Sequence, residues 1–136
     1  MNESVPTIKI IVATHKKYQM PDDSMYLPVQ VGAEGKSDLG YTRDNTGENI
    51  SSKNPSFCEL TGLYWAWKNL NADYIGLVHY RRHFGKKKKD PLKGVLSGQQ
   101  LYPLLGKYKI FVPKKRRYFI ETLYSHYTLQ FLYIKL

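Results

Sequence analysis

Hydrophobic residues gather in short runs along this chain, separated by long polar stretches, and their order sets out a small alternating α/β unit. Ile8–Thr14 (IKIIVAT) is a β-branched, apolar run interrupted only by Lys9, the pattern of a strand covered on both faces. A second, shorter strand is predicted over residues 26–31, inside a Pro-, Gly- and Asp-rich stretch that otherwise reads as loop. Asp22 and Asp23 lie there and read as turn residues. Residues 41–54 (YTRDNTGENISSKN) carry almost no apolar side chain, and their Asn, Ser, Thr and Asp favour turns by bonding to nearby backbone.

The following segment, PSFCELTGLYWAWKNL, predicts a helix. Asn54 can cap it with Pro55 in the first turn, or Ser56 can cap it with Glu59 closing a capping box. Phe57, Leu60, Tyr64 and Trp67 recur at helical spacing and are expected as its buried stripe. A strand pattern returns over residues 74–80 (YIGLVHY) and runs directly into Arg81, Arg82 and His83. A short helix within residues 92–105 and a further strand over residues 108–112 are predicted beyond it. Strand, polar loop, helix, strand implies an α/β fold with a mostly parallel sheet flanked by helices.

Composition sharpens this picture. With 136 residues, 42% hydrophobic and 14% aromatic, the chain is the size of one domain with a real core, which excludes a disordered tail as a description of the whole. Against 11 acidic residues stand 21 Lys and Arg, a formal net charge of +10 that favours anionic partners: nucleotide, nucleic acid or an anionic membrane. The basic run at residues 86–89 and the cluster at residues 114–117 contribute to it. Cys58 is the single cysteine, so an intrachain disulfide and a Cys-rich zinc site are excluded, and it reads as a small core residue. No run approaches the roughly eighteen apolar residues of a spanning helix, and the N-terminus lacks the order of a signal peptide, so a cytoplasmic location is expected.

The candidate chemistry lies at the strand ends. In open α/β sheets, ligands bind in the crevice beyond the carboxyl ends of the strands. Thr14, His15 and Lys16 end one strand, and His79, Tyr80, Arg81 and Arg82 end another. Guanidinium groups match phosphate oxygens in pairs, so Arg81 and Arg82 fit a diphosphate. On spacing alone, pairing of one arginine with Asp44 or Glu59 at an ordinary surface is an equal alternative. Asn45, Asn49, Ser52 and Asn54 have the short, dense donors and acceptors that sugar hydroxyls need, although a loop satisfying its own backbone has the same composition. Glu48, Glu59 and Asp44 flank the expected pocket as general-base candidates, and His79 is a further catalytic candidate. Four histidines without regular spacing do not make a metal site.

Two strings, LGYTRDNTGENISSKNPSFCELTGLYWAWKN at residues 39–69 and YIGLVHYRRHF at residues 74–84, resemble the signatures of a bacterial capsular and exopolysaccharide glycosyltransferase family long catalogued as a domain of unknown function. The resemblance covers roughly residues 8–127. It implies the N-terminal part of a GT-A-like fold, and a nucleotide-diphosphate donor such as UDP-galactofuranose or another UDP-hexose. It also implies transfer to a lipid-linked or polysaccharide acceptor, at the inner face of the plasma membrane. The family's asparagine-rich signature falls on Asp44, Asn45, Gly47, Asn49, Ser51, Ser52, Asn54 and Glu59, and its His-Tyr-Arg-Arg signature on residues 79–82. Together with the strand-end reading this gives Asp44, Glu59 and His79 as catalytic candidates, and Thr14, His15, Lys16, Asn45, Asn49, Ser52, Asn54, Arg81 and Arg82 as donor-binding candidates. Where many such transferases carry an Asp-x-Asp metal motif, this chain has basic residues, which would replace or supplement Mn2+ or Mg2+ in neutralising the diphosphate.

The apolar tail, residues 128–136, stands outside that resemblance, so residues 1–136 are expected to form one incomplete domain. Two other classes fit part of the pattern: an inactive truncated remnant, and a basic nucleic-acid-binding module. No nucleic-acid motif accompanies the basic runs, so a nucleic-acid partner is not expected.

Overall fold

The computed structural model describes residues 5–86, 88–90 and 92–114. Its centre is a four-stranded parallel sheet of β1 (Ile8–Thr14), β2 (Tyr26–Gln30), β3 (Thr42–Arg43) and β4 (Tyr74–His79), in the order β3-β2-β1-β4. The β-branched run of β1 occupies the middle because it is the strand with two apolar faces. Ile10 and Val12 point into one layer, and Ile11 and Ala13 into the other. In register, Ile11 lies beside Leu27 of β2 and Leu77 of β4.

A short helix α1 (Asn54–Phe57), with Pro55 in its first turn, precedes the main helix α2 (Leu60–Asn69). The expected single helix is broken at Cys58, whose φ of 48° lies in the left-handed region. Cys58 is exposed, which corrects its reading as a core residue.

The buried face of α2 also differs from the expected stripe. Phe57, Leu60 and Trp67 are exposed, whereas Thr61, Gly62, Trp65 and Ala66 face the sheet. Small residues explain the choice. A Cβ at Gly62 would lie 2.7 Å from Val31 Cγ1, so only glycine lets the helix axis approach this closely. That approach seats Trp65 against the Ile11, Ala13, Val29 and Val31 layer. Trp67 turns outward, its ring covered by the Lys68 ammonium at 4.3 Å.

On the opposite face, Ile8, Ile10, Val12, Tyr26, Val78 and Tyr80 pack beneath residues 84–111. That covering segment holds α3 (Gly98–Leu101), started by a Ser97/Gln100 capping box within the predicted helical region. Asp23 ties it down: its carboxylate accepts from Met25 N at 3.0 Å and from Gly98 N at 2.7 Å, a turn role as expected. The Tyr26 hydroxyl donates to Leu96 O at 2.7 Å, and burial together with nearby Asp23 pushes its pKa up to about 12.

The strand predicted over residues 108–112 does not form. Phe111 packs against Tyr74, Ile110 and Val112 are exposed, and no neighbouring strand among the described residues takes up their backbone. Residues 115–117 of the second basic cluster and the tail at 128–136 lie outside the described residues. Among the described residues, no helix is long and apolar enough to cross a membrane.

Trp65 is 5% exposed and Trp67 65% exposed, so the two tryptophans separate cleanly by mutation. Trp65→Ala is expected to lower unfolding stability by about 3–5 kcal/mol. Trp67→Ala should change it by about 0.5 kcal/mol or less. Urea titration of the two variants checks this, and equal losses would refute the assignment of faces.

Candidate functional site

The sheet order places a crevice at one point. From β1 the chain crosses to β2 on one side and returns to β4 on the other, so order reverses between the adjacent strands β1 and β4. The residues that follow these two strands meet there. Thr14 ends β1 with its side chain buried. Its hydroxyl donates to Lys16 O at 2.6 Å and accepts from Lys16 N at 3.2 Å, closing a tight turn. Thr14 therefore shapes the turn that exposes His15 and Lys16.

After β4, Tyr80 N continues the ladder to Ala13 O at 3.1 Å, and Arg82 N returns to His79 O at 2.8 Å. This turn leaves Arg81 and Arg82 exposed at the tip of the strand. Neither pairs with a carboxylate among the described residues, which removes the alternative of an arginine held by Asp44 or Glu59.

His79 lies on the α2 side of β4, in line with Ile75 and Leu77. Its Nδ1 accepts from Arg81 N at 3.3 Å, so in the neutral ring Nε2 carries the proton and faces Glu59 Oε1 at 3.8 Å. Desolvation lowers the His79 pKa below the ordinary 6.5; Glu59 opposes the shift, and Arg81, His15 and Arg82 reinforce it. The Glu59 side chain is 43% exposed at the N-terminus of α2. Glu48 is also open, 60% exposed, but it is held by the Lys68 ammonium at 3.0 Å and accepts from the Tyr64 hydroxyl.

Asp44 belongs elsewhere. It is fully buried, and its carboxylate accepts from Gly32 N at 2.9 Å, Ala33 N at 3.0 Å, Ser51 Oγ at 2.5 Å and Thr61 Oγ1 at 2.6 Å. With these donors it holds β2, the polar loop and α2 together.

Asn54 is structural too. Its Nδ2 donates to Cys58 O at 2.8 Å and Thr61 Oγ1 at 3.0 Å, and its side chain sits over Gly32, where a Cβ would clash at 2.5 Å. Asn49 bonds to Gly47 O and Ser51 N, and Asn45 to Arg43 and Glu34, so the loop satisfies itself. Ser52 is exposed beside it. His15, Lys16, Glu59, His79, Arg81 and Arg82 thus converge; Asp44, Asn45, Asn49 and Asn54 build the support.

Sequence reasoning missed Tyr80, which is 2% exposed and central to the convergence. Its place between His79 and Arg81, on a strand facing the core, was the available signal. Among the described residues no three His, Cys, Asp or Glu side chains converge. A separate cleft of about 480 Å³ opens between β4 and residues 104–114, lined mainly by apolar residues such as Ile10, Tyr74, Leu105 and Phe111, with Lys109 and Lys114 among them.

The fold and crevice define an α/β protein with a parallel sheet and a cationic site at its switch point. The chain belongs to the family described as Domain of unknown function (DUF4422), whose profile matches residues 9–135. A solved structure titled as the apo form of the WbbM bifunctional glycosyltransferase is 42% identical over 61% of this chain, with a TM-score of 0.55. The chain spans 15% of that protein's length. No curated protein matches the chain.

Two outcomes test the site's construction. Asp44→Ala orphans buried donors and is expected to cost about 3–5 kcal/mol of stability, read by chemical denaturation; a loss below about 1 kcal/mol would remove its supporting role.

His79 and His83 both have pKa values lowered, chiefly by desolvation, from the ordinary 6.5. Folding therefore opposes their protonation, and the stability present above pH 6.5 is lost as pH falls through the depressed folded values. Thermal melts from about pH 7.5 to 5.5 should show a falling Tm, with a shallower slope in the His79→Gln, His83→Gln double variant. An unchanged slope would assign the acid sensitivity to other groups.

Proposed function

We propose that this chain forms the donor-binding part of a glycosyltransferase that uses a nucleotide-diphosphate sugar. The observation that carries the reading is the convergence of Lys16, Arg81 and Arg82, without carboxylate partners among the described residues, at the carboxyl ends of the adjacent strands β1 and β4. The 42% identity to part of a bifunctional glycosyltransferase supports the same class.

In this reading the diphosphate lies against Lys16, Arg81 and Arg82, with His15 at the rim. As the bond from the anomeric carbon to the diphosphate breaks, negative charge grows on the leaving nucleotide, and the cations stabilise it. The acceptor hydroxyl attacks the anomeric carbon and loses its proton to Glu59, an open carboxylate, which the His79 Nε2 proton faces. The donor is UDP-galactofuranose or another UDP-hexose. The acceptor is a growing capsular or exopolysaccharide or a lipid-linked glycan, which places the chain at the cytoplasmic face of the plasma membrane.

Calorimetric titration with uridine diphosphate tests the reading. Micromolar binding is expected, indifferent to added manganese. Arg81→Ala should weaken it by about 1.5–3 kcal/mol, the worth of hydrogen bonds to a charged group, with the thermal melt unchanged. A cooperative melt without binding, or an Arg81→Ala affinity equal to wild type, would overturn the assignment.

A further inference from the structure

We propose that Tyr80 is a positioning residue whose ring gathers the cations of the crevice before any ligand arrives. The inference rests on the donor-binding reading and names the device that makes the site work. The Arg81 guanidinium carbon lies 5.3 Å from the Tyr80 ring centroid and the Lys16 ammonium 5.5 Å, both inside the range of cation–π attraction. His15 stands edge-on to the same ring at 5.4 Å, Tyr18 at 5.0 Å, and the His79 ring tilts over it at 4.2 Å. Residues from both strand ends thus share one aromatic neighbour.

Two facts fix that ring in place. Tyr80 N bonds to Ala13 O at 3.1 Å, which extends the β4–β1 ladder by one residue. The side chain is 2% exposed and belongs to the core layer with Val12, Tyr26 and Val78. Lys16 and Arg81 repel each other and have no carboxylate partner among the described residues, so they would be expected to swing apart into solvent. The negative face of a desolvated ring offers each a partner without neutralising its charge. A carboxylate in the same position would gather them equally well but cancel the field that an incoming diphosphate needs. An aromatic ring keeps the field.

Replacing the ring's electrons while keeping its volume isolates this effect. Pentafluorophenylalanine in place of Tyr80, compared with Tyr80→Phe, should weaken binding of inorganic pyrophosphate and of uridine diphosphate about tenfold, with equal melts. In a Lys16→Met background, where Arg81 and Arg82 still hold the diphosphate, the difference between the two rings should shrink, whereas a purely structural role would leave it unchanged. If the wild-type chain binds neither pyrophosphate nor uridine diphosphate, this inference and the donor reading fall together. If wild type binds and fluorination changes nothing, or the difference is undiminished without Lys16, the positioning role falls alone.

Discussion

The buried carboxylate of Asp44 is the constraint on which the rest of this arrangement depends. It gathers donors from three separate stretches: the turn after β2 at Gly32 and Ala33, the polar loop at Ser51, and α2 at Thr61. A buried carboxylate is costly unless its charge is met, and here four donors meet it. The geometric consequence is larger than the energetic one. Fixing Thr61 fixes the first turn of α2, and Glu59 two residues earlier is thereby held 3.8 Å from His79 at the end of β4. A buried structural carboxylate so determines where the exposed Glu59 stands beside the end of β4.

The crevice itself is a product of chain order. β1 is the one strand hydrogen-bonded to both β2 and β4, and its continuous apolar pattern is what allows a partner and a layer on every side. Because β4 returns to the free edge of β1, two strand tips with basic extensions lie next to each other. α2 covers one face at a distance set by Gly62, and the segment around α3 covers the other. The site residues need no regular structure of their own. They sit one to three residues beyond strands whose registers are already fixed.

The strands were legible because β-branched runs carry their meaning wherever they pack: residues 8–14, 26–30 and 74–79 appear where the pattern puts them. The face of α2 was not legible. Phe57, Leu60, Tyr64 and Trp67 are as periodic as Thr61, Gly62, Trp65 and Ala66, and more hydrophobic, yet the smaller set is buried because close approach to the sheet outweighs apolar area. The strand over residues 108–112 failed for a related reason: a strand needs a neighbour, and local sequence does not supply one. At the site, the basic strand ends were legible from the topology rule. The loop was ambiguous, because Asp and Asn that bind a sugar and Asp and Asn that hold a loop have the same composition. Asp44 and Asn54 proved to be of the second kind, through partners remote in sequence or hidden in a turn.

The division between loop and strand tips has an electrostatic logic. Asp44 is fully sequestered, and its carboxylate is occupied by backbone and hydroxyl donors. Glu59 is left as an open anion, beside an imidazole that desolvation keeps neutral. Lys16, Arg81 and Arg82 then face solvent without a carboxylate partner among the described residues. A folded chain tolerates this because exposed cations are well hydrated and only their convergence is unfavourable, a cost that the Tyr80 ring offsets without lowering the net charge. What results is a small region of positive potential bordered by one carboxylate, the polarity that a group leaving with a diphosphate requires.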